Sequence, residues 1–167
     1  MDTQTLLAGL EFSRMRLLGI LDAIEKSGQD PTKVLGWRPG PGRAHIAWQA
    51  MHCAATHDVY LNKGIHQGSP KDAELVAGYS GGTTPSDANI PSFAVIRQKL
   101  AATYEPFKKF TAEQTTESLA KQIPAGAGKT RSIAEGILLM TWHESHHQGQ
   151  IHLTWNLYKE AHGLPQK

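Results

Sequence analysis

132-SIAEGILLMTWHESHHQGQIHLTWNLYKEAHG-163 is delimited like a long helix but patterned unlike an ordinary one. At its start, Ser132 and Glu135 form the S-x-x-E capping box, in which each side chain accepts from the other residue's free backbone N–H. At its end, Gly163 suits left-handed backbone and Pro165 blocks continuation. Between these limits Gly136, Met140, His143, His147, Gln150, Thr154 and Leu157 follow one another at steps of four and three. That is the spacing of a seam turned toward a bundle interior. Imidazoles therefore fall where apolar side chains are expected.

Three further helical segments lie upstream. From Thr3 to Lys26, Leu7, Leu10, Leu17, Leu21 and Ile24 recur at steps of three, four or seven, and Ser27-Gly28 and Asp30-Pro31 end the run. After the breaker Pro39-Gly40-Pro41-Gly42, a segment from Arg43 to Lys63 is rich in Ala and Met with few charges, as in a well-buried helix, and Gly64 closes it. After Pro91, Phe93, Ile96, Leu100, Tyr104 and Phe107 make one apolar face, with Arg97, Lys99, Lys108 and Lys109 available for the wet side. No stretch alternates with period two between hairpin turns, and no internal repeat is present. The expected fold is all-α, a four-helix bundle in one domain over residues 1–167.

The connection 66-HQGSPKDAELVAGYSGGTTPSDANI-90 is longer than a compact bundle needs. A lid or binding element and a simple crossover are both open readings. The segment 126-GAGKT-130 resembles a phosphate loop only superficially, because Ile123 stands where the first glycine is required and no strand is expected before it; it reads as a flexible loop.

Composition narrows the function classes. Lys+Arg 17 against Asp+Glu 15 gives a formal charge of +2, with no basic run to track a phosphate backbone, so nucleic acid is not an expected partner. A single cysteine, Cys53, makes an internal disulfide framework impossible and fits a reducing, cytoplasmic setting. No cationic leader opens the chain, and the apolar run near Ile137 to Trp142 is too short to span a bilayer.

One helical turn separates His143 from His147, about 6 Å of rise, so both rings can converge on one ion. The alternative is a polar pair with no ion, and only a third ligand separates the two. His52 lies mid-helix in the second segment, at the level a neighbouring helix would share with the pair. His45 is seven residues earlier, about 10 Å along the axis, and falls outside that level, while His57 and His146 point elsewhere. Cys53 and Glu144 each adjoin a candidate ligand but diverge from it by about 100° around the helix. Cys53 reads as a small buried hydrophobe and Glu144 is not a first choice as general base. Gln150 either hydrogen-bonds a ligand ring or closes the bundle against solvent. Trp48, Trp142, Trp155 and Tyr60 read as core aromatics before pocket-lining ones.

With 46-IAWQAMHC-53 in the second segment and 143-HESHHQGQI-151 in the fourth, the chain resembles the DinB/YfiT-like superfamily of metal-binding four-helix bundles. Its pattern is a histidine in the middle of helix two plus H-x-x-x-H-x-G-Q on helix four. The resemblance implies His52, His143 and His147 as metal ligands, and a divalent ion, Zn²⁺ or Ni²⁺, is the expected occupant. It also implies an up-down-down-up topology and frequent homodimers. Five positions after the first ligand, where relatives often carry an acidic residue, this chain has His57 followed by Asp58. Relatives include transferases and isomerases that use low-molecular-weight thiols. The expected activity is therefore metal-dependent S-transfer or isomerisation of a small-molecule substrate. A metal-dependent hydrolase, or a non-catalytic metal- or ligand-binding stress protein, is the alternative. The catalytic residues, substrate and thiol are not legible.

Overall fold

The computed structural model describes residues 2–166. It is mostly helical. Four long helices carry the structure: α1 (Thr3–Glu25), α3 (Ile46–Asp58), α5 (Phe93–Ala112) and α7 (Ile133–Ala161). The short helices α2 (Pro31–Gly36), α4 (Ala73–Tyr79) and α6 (Thr116–Leu119) lie between them, with strands β1 (Gln122–Gly126) and β2 (Lys129–Ser132). α3 continues into a π-helical stretch, Val59–Ile65.

Local chemistry sets the boundaries. Asp2 caps α1 through the Thr5 N–H, Ser92 caps α5 through Val95, and Ser132 and Glu135 complete the capping box of α7. α3 starts later than the sequence suggests because His45 acts as its N-cap, its ring Nδ1 accepting from the Trp48 N–H at 3.0 Å. The fully buried side chains include Leu10, Leu17, Leu21, Ile46, Leu100, Phe107, Ile137 and Ile151, so all four long helices contribute to the core.

Contacts give the packing of these helices. Residue numbers rise together along α1 and α7, where Gly9 meets Thr141 and Arg14 meets Glu144. They run oppositely along α3 and α7, where Gln49 meets His147 and His57 meets Glu144. Further along this contact Tyr60 packs over Gly136, where a Cβ would sit 1.3 Å from the phenol oxygen, so only glycine fits.

Two expectations need correcting. 126-GAGKT-130 is the tip and return of an antiparallel hairpin, with Ala127 (φ 48°) and Gly128 (φ 72°) turning between Gly126 and Lys129. Positive φ at both turn residues matches the twist of the strands. The strands are too short, and the turn too unlike Asn-Gly, for period-two patterning to reveal them. The buried face of α7 keeps Gly136, Met140, His147 and Thr154 of the expected seam but departs from it elsewhere. It runs through Ile137, Met140, Glu144, His147, Ile151 and Thr154, leaving His143 half-buried and Gln150 exposed. The physical reason is Glu144, a carboxylate the core accepts because Arg14 meets it there.

The 66–90 connection is ordered by Asp58. Its carboxylate accepts from the backbone N–H groups of Lys71 and Asp72 and from the Asn62 amide. α4 then packs against α3. No helix of the described residues is long and apolar enough to cross a membrane.

Candidate metal centre

His52 from α3 and His143 and His147 from α7 meet on the contact between these helices. One imidazole nitrogen from each lies within 4.8 Å of the others. The helices run oppositely there, so a residue six places before the end of α3 comes level with the middle of α7. His52 and His147 are buried, 7% and 8% exposed, and His143 is half-buried.

Hydrogen bonds orient two of the rings. His52 Nδ1–H donates to the Tyr79 carbonyl oxygen at 2.6 Å, because a carbonyl can only accept. This leaves Nε2 as a lone pair facing the cluster. His147 Nδ1 faces Gln49 Oε1 at 3.4 Å, a longer contact of the same sense. The Trp48 indole stacks flat on His52, ring centroids 4.7 Å apart, and is itself tied to Thr83 through Nε1. His143 Nε2 lies 3.1 Å from His52 Nε2, while its buried Nδ1 has no hydrogen-bond partner.

Electrostatics favours the ligating form. Burial, then the neighbouring rings of His52 and His146, push His143 down to about 4. Burial, then His143, His52 and His146, push His147 down to about 3, against a lesser opposing pull from Gln150. Burial lowers His52 as well, with its hydrogen bond to Tyr79 opposing. At neutral pH all three are uncharged, the state in which imidazole binds a metal. Three converging ring nitrogens, neutral rings and the outward-tied Nδ1 groups of His52 and His147 make a donor set that fits a divalent ion with positions left open.

The other sequence-selected residues are distributed as follows. Gln150 Nε2 lies 2.7 Å from the ring of His146, which in turn stacks on Trp142. Trp142 is 58% exposed and not core, whereas Trp155 and Tyr60 pack against Tyr158 and Phe107. Cys53 is fully buried, and burial raises its thiol well above the ordinary range. Glu144 and His57 turn away from the cluster into a separate core network. Two contributors had gone unnoticed, Gln49 and the Tyr79 carbonyl. Gln49 sits one turn before His52 in 46-IAWQAMHC-53, a polar residue in an otherwise apolar run, and that was its signal. A backbone carbonyl from the long connection leaves no mark in side-chain patterning.

The fold and the cluster together define a mostly helical protein with three histidines placed so that they could hold a metal ion. The chain belongs to the DinB superfamily, whose family model matches residues 9–151. A solved structure of a conserved protein from Enterococcus faecalis is similar over 93% of this chain and 95% of that one, with a TM-score of 0.73 at 16% identity, a likeness of fold. No curated protein matches the chain.

Proposed function

We propose that this protein is a metal-dependent enzyme that activates a low-molecular-weight thiol for S-transfer or isomerisation of a small molecule, with His52, His143 and His147 as the metal ligands. The observation that carries the reading is the convergence of three neutral imidazole nitrogens whose remaining ring protons are directed, in two cases, to fixed acceptors. Zn²⁺ and Ni²⁺ are the proposed ions, since imidazole ligands suit both. Bound there with open positions, such an ion would supply Lewis acidity that lowers the pKa of a thiol or a water.

The chain's own residues do the rest. Tyr79 and Gln49 hold His52 and His147 with the lone pair inward, and Trp48 covers one face of His52 and excludes water from it. The choice of thiol over water rests on the resemblance to thiol-using relatives. The bundle is read as a single up-down-down-up domain, which the parallel run of α1 with α7 and the opposed run of α3 with α7 support. A cytoplasmic homodimer is part of the same reading. Exposed Phe12 and Met15 on α1 and Leu138 and Trp142 on α7 support the dimer.

The test is elemental analysis of untagged protein, wild type and His52→Ala, followed by turnover of a dinitrophenyl halide with and without a small thiol. Near-stoichiometric metal that is lost in the variant, with thiol-dependent turnover, is the expected result. Turnover without thiol points to hydrolysis, and metal without turnover to a binding protein. A metal-free wild type that takes up neither Zn²⁺ nor Ni²⁺ overturns the reading.

A further inference from the structure

A cavity of about 600 Å³ opens beside the histidine cluster, between the start of α3 and the second half of α7. Its size suits a small ligand. Gln49 links the two places: it lines the cavity and its Oε1 faces His147 Nδ1. Along α7 the lining runs from Gln150 to Leu157, about 10 Å of helix, with Leu153 and Leu157 as its apolar part. Leu153 is 59% exposed, an apolar side chain left uncovered at this mouth.

Charge in the cavity has one sign. Arg43 lines it, no acidic residue does, and among the described residues Arg43 forms no ion pair. The other nearby guanidinium, Arg38, is already taken by Asp87 and by the carbonyls of Arg43 and Pro85. Gln49, 97% buried, presents a side-chain amide whose Nε2 reaches only the Ala44 carbonyl, at 3.5 Å. A planar guanidinium at the rim matches a carboxylate bidentately.

We infer that this cavity is the substrate pocket of the centre and that it takes a small carboxylate with a short apolar chain, the carboxylate on Arg43 and the chain along Leu153 and Leu157. The inference takes its chemistry from the metal-centre reading, but the binding it asserts needs no metal.

The probe is hexanoate, titrated into ¹⁵N-labelled full-length protein while the side-chain amides of Gln49 and Gln150 are followed by NMR. Zn²⁺-loaded and chelator-treated samples are run in parallel, with hexan-1-ol and hexylamine as controls. Hexanoate is expected to shift both amides in both samples, and Arg43→Gln, an exposed substitution, to weaken it at least fivefold, with Arg43→Lys recovering part of the loss. Equal binding of hexan-1-ol, or hexanoate binding that is indifferent to Arg43→Gln, overturns the assignment. So does binding seen only with Zn²⁺, because the carboxylate then sits on the ion. Failure of the metal reading shows separately, as absent zinc uptake, while the chelator-treated titration still decides the pocket.

Discussion

Two clusters of ionisable side chains share α3 and α7, and they are built on opposite terms. In the bundle centre, Arg14 donates through Nε to Glu144 Oε1 at 2.5 Å and through Nη2 to Oε2 at 3.2 Å. Nη1 donates to the Leu100 carbonyl oxygen, the guanidinium lies over the Tyr104 ring, and His57 Nε2 is 3.5 Å from Glu144 Oε2. All four long helices thus reach one network, in which Arg14 and Glu144 are the charged pair and burial keeps His57 neutral. At the neighbouring level, His52, His143 and His147 bring one ring nitrogen each within 4.8 Å of the others, with no charged side chain among them. A core tolerates buried polarity when it is paired from within. The Arg14–Glu144 pair meets that condition and belongs to the fold, whereas the three histidines hold no ion pair, and an added divalent ion would give their nitrogens a common partner.

The widest separation between the two should appear in stability. Arg14→Leu leaves a fully buried Glu144 uncompensated and is expected to cost about 3–5 kcal/mol, measured by urea unfolding of metal-free protein at pH 7. With Arg14 gone, burial alone acts on Glu144 and raises its folded pKa further above 4.5. The folded state then holds its proton more tightly than the unfolded chain, so the deficit relative to wild type is smallest below pH 4.5 and grows as pH rises through the raised value. Combining Arg14→Met with Glu144→Leu should recover most of the loss. By contrast, His147→Ala in metal-free protein should cost no more than about 1–2 kcal/mol. A comparable loss from both single variants would erase the distinction.

Metal should reverse the ranking. Zn²⁺ at about 100 times its Kd is expected to add about 2.7 kcal/mol to the unfolding free energy of wild type and nothing to that of His52→Ala. The pH dependence sharpens this. The folded pKa values of His143 and His147 are depressed, to about 4 and about 3, below the ordinary 6.5. A depressed histidine stabilises above its unfolded pKa and loses that contribution as pH falls, so metal-free protein should weaken from pH 6.5 toward 4. Zinc uptake, which needs neutral rings, should still be strong at pH 5.5, where exposed histidines are largely protonated. Uptake that halves near pH 6.5 in equilibrium dialysis would place the rings in water.

How much of this was legible follows from which signals are local. The capping box of Ser132 and Glu135 and the leucine spacing of α1 are written within single segments, and the long helices could be read from them. The histidine spacing on α7 was equally local, and pairing it with His52 needed only the level of a neighbouring helix. The hairpin around Ala127 was missed because its turn relies on backbone angles that the residue types barely advertise. The face of α7 was read in part: Gly136, Met140, His147 and Thr154 are buried as expected, but Glu144 and Ile151 are buried where His143 and Gln150 were expected to be, and Arg14, 130 residues away, is what meets Glu144. Pairing of charges across the chain is tertiary information, and helical periodicity contains none of it.

The smallest expected effects separate two glutamines that the sequence weighed differently. Gln150 follows the ligand pair in the motif and drew attention, yet it is exposed and its amide nitrogen lies against His146. Gln49 went unremarked, yet it is buried and its oxygen faces His147 Nδ1. An acceptor at that nitrogen fixes the tautomer that turns Nε2 inward, and losing such a partner weakens metal binding by about 10- to 100-fold. The contact is long at 3.4 Å, so Gln49→Leu should fall at the lower end, about tenfold or roughly 1.4 kcal/mol. Gln150→Leu should change zinc affinity by about threefold or less, since its pull on His147 is the minor one. Competition against a chromogenic chelator measures both variants on one scale. If Gln150→Leu proves the more damaging, the rotamers that set His147 lie on α7 itself, and α3 contributes His52 to the centre without orienting its partner.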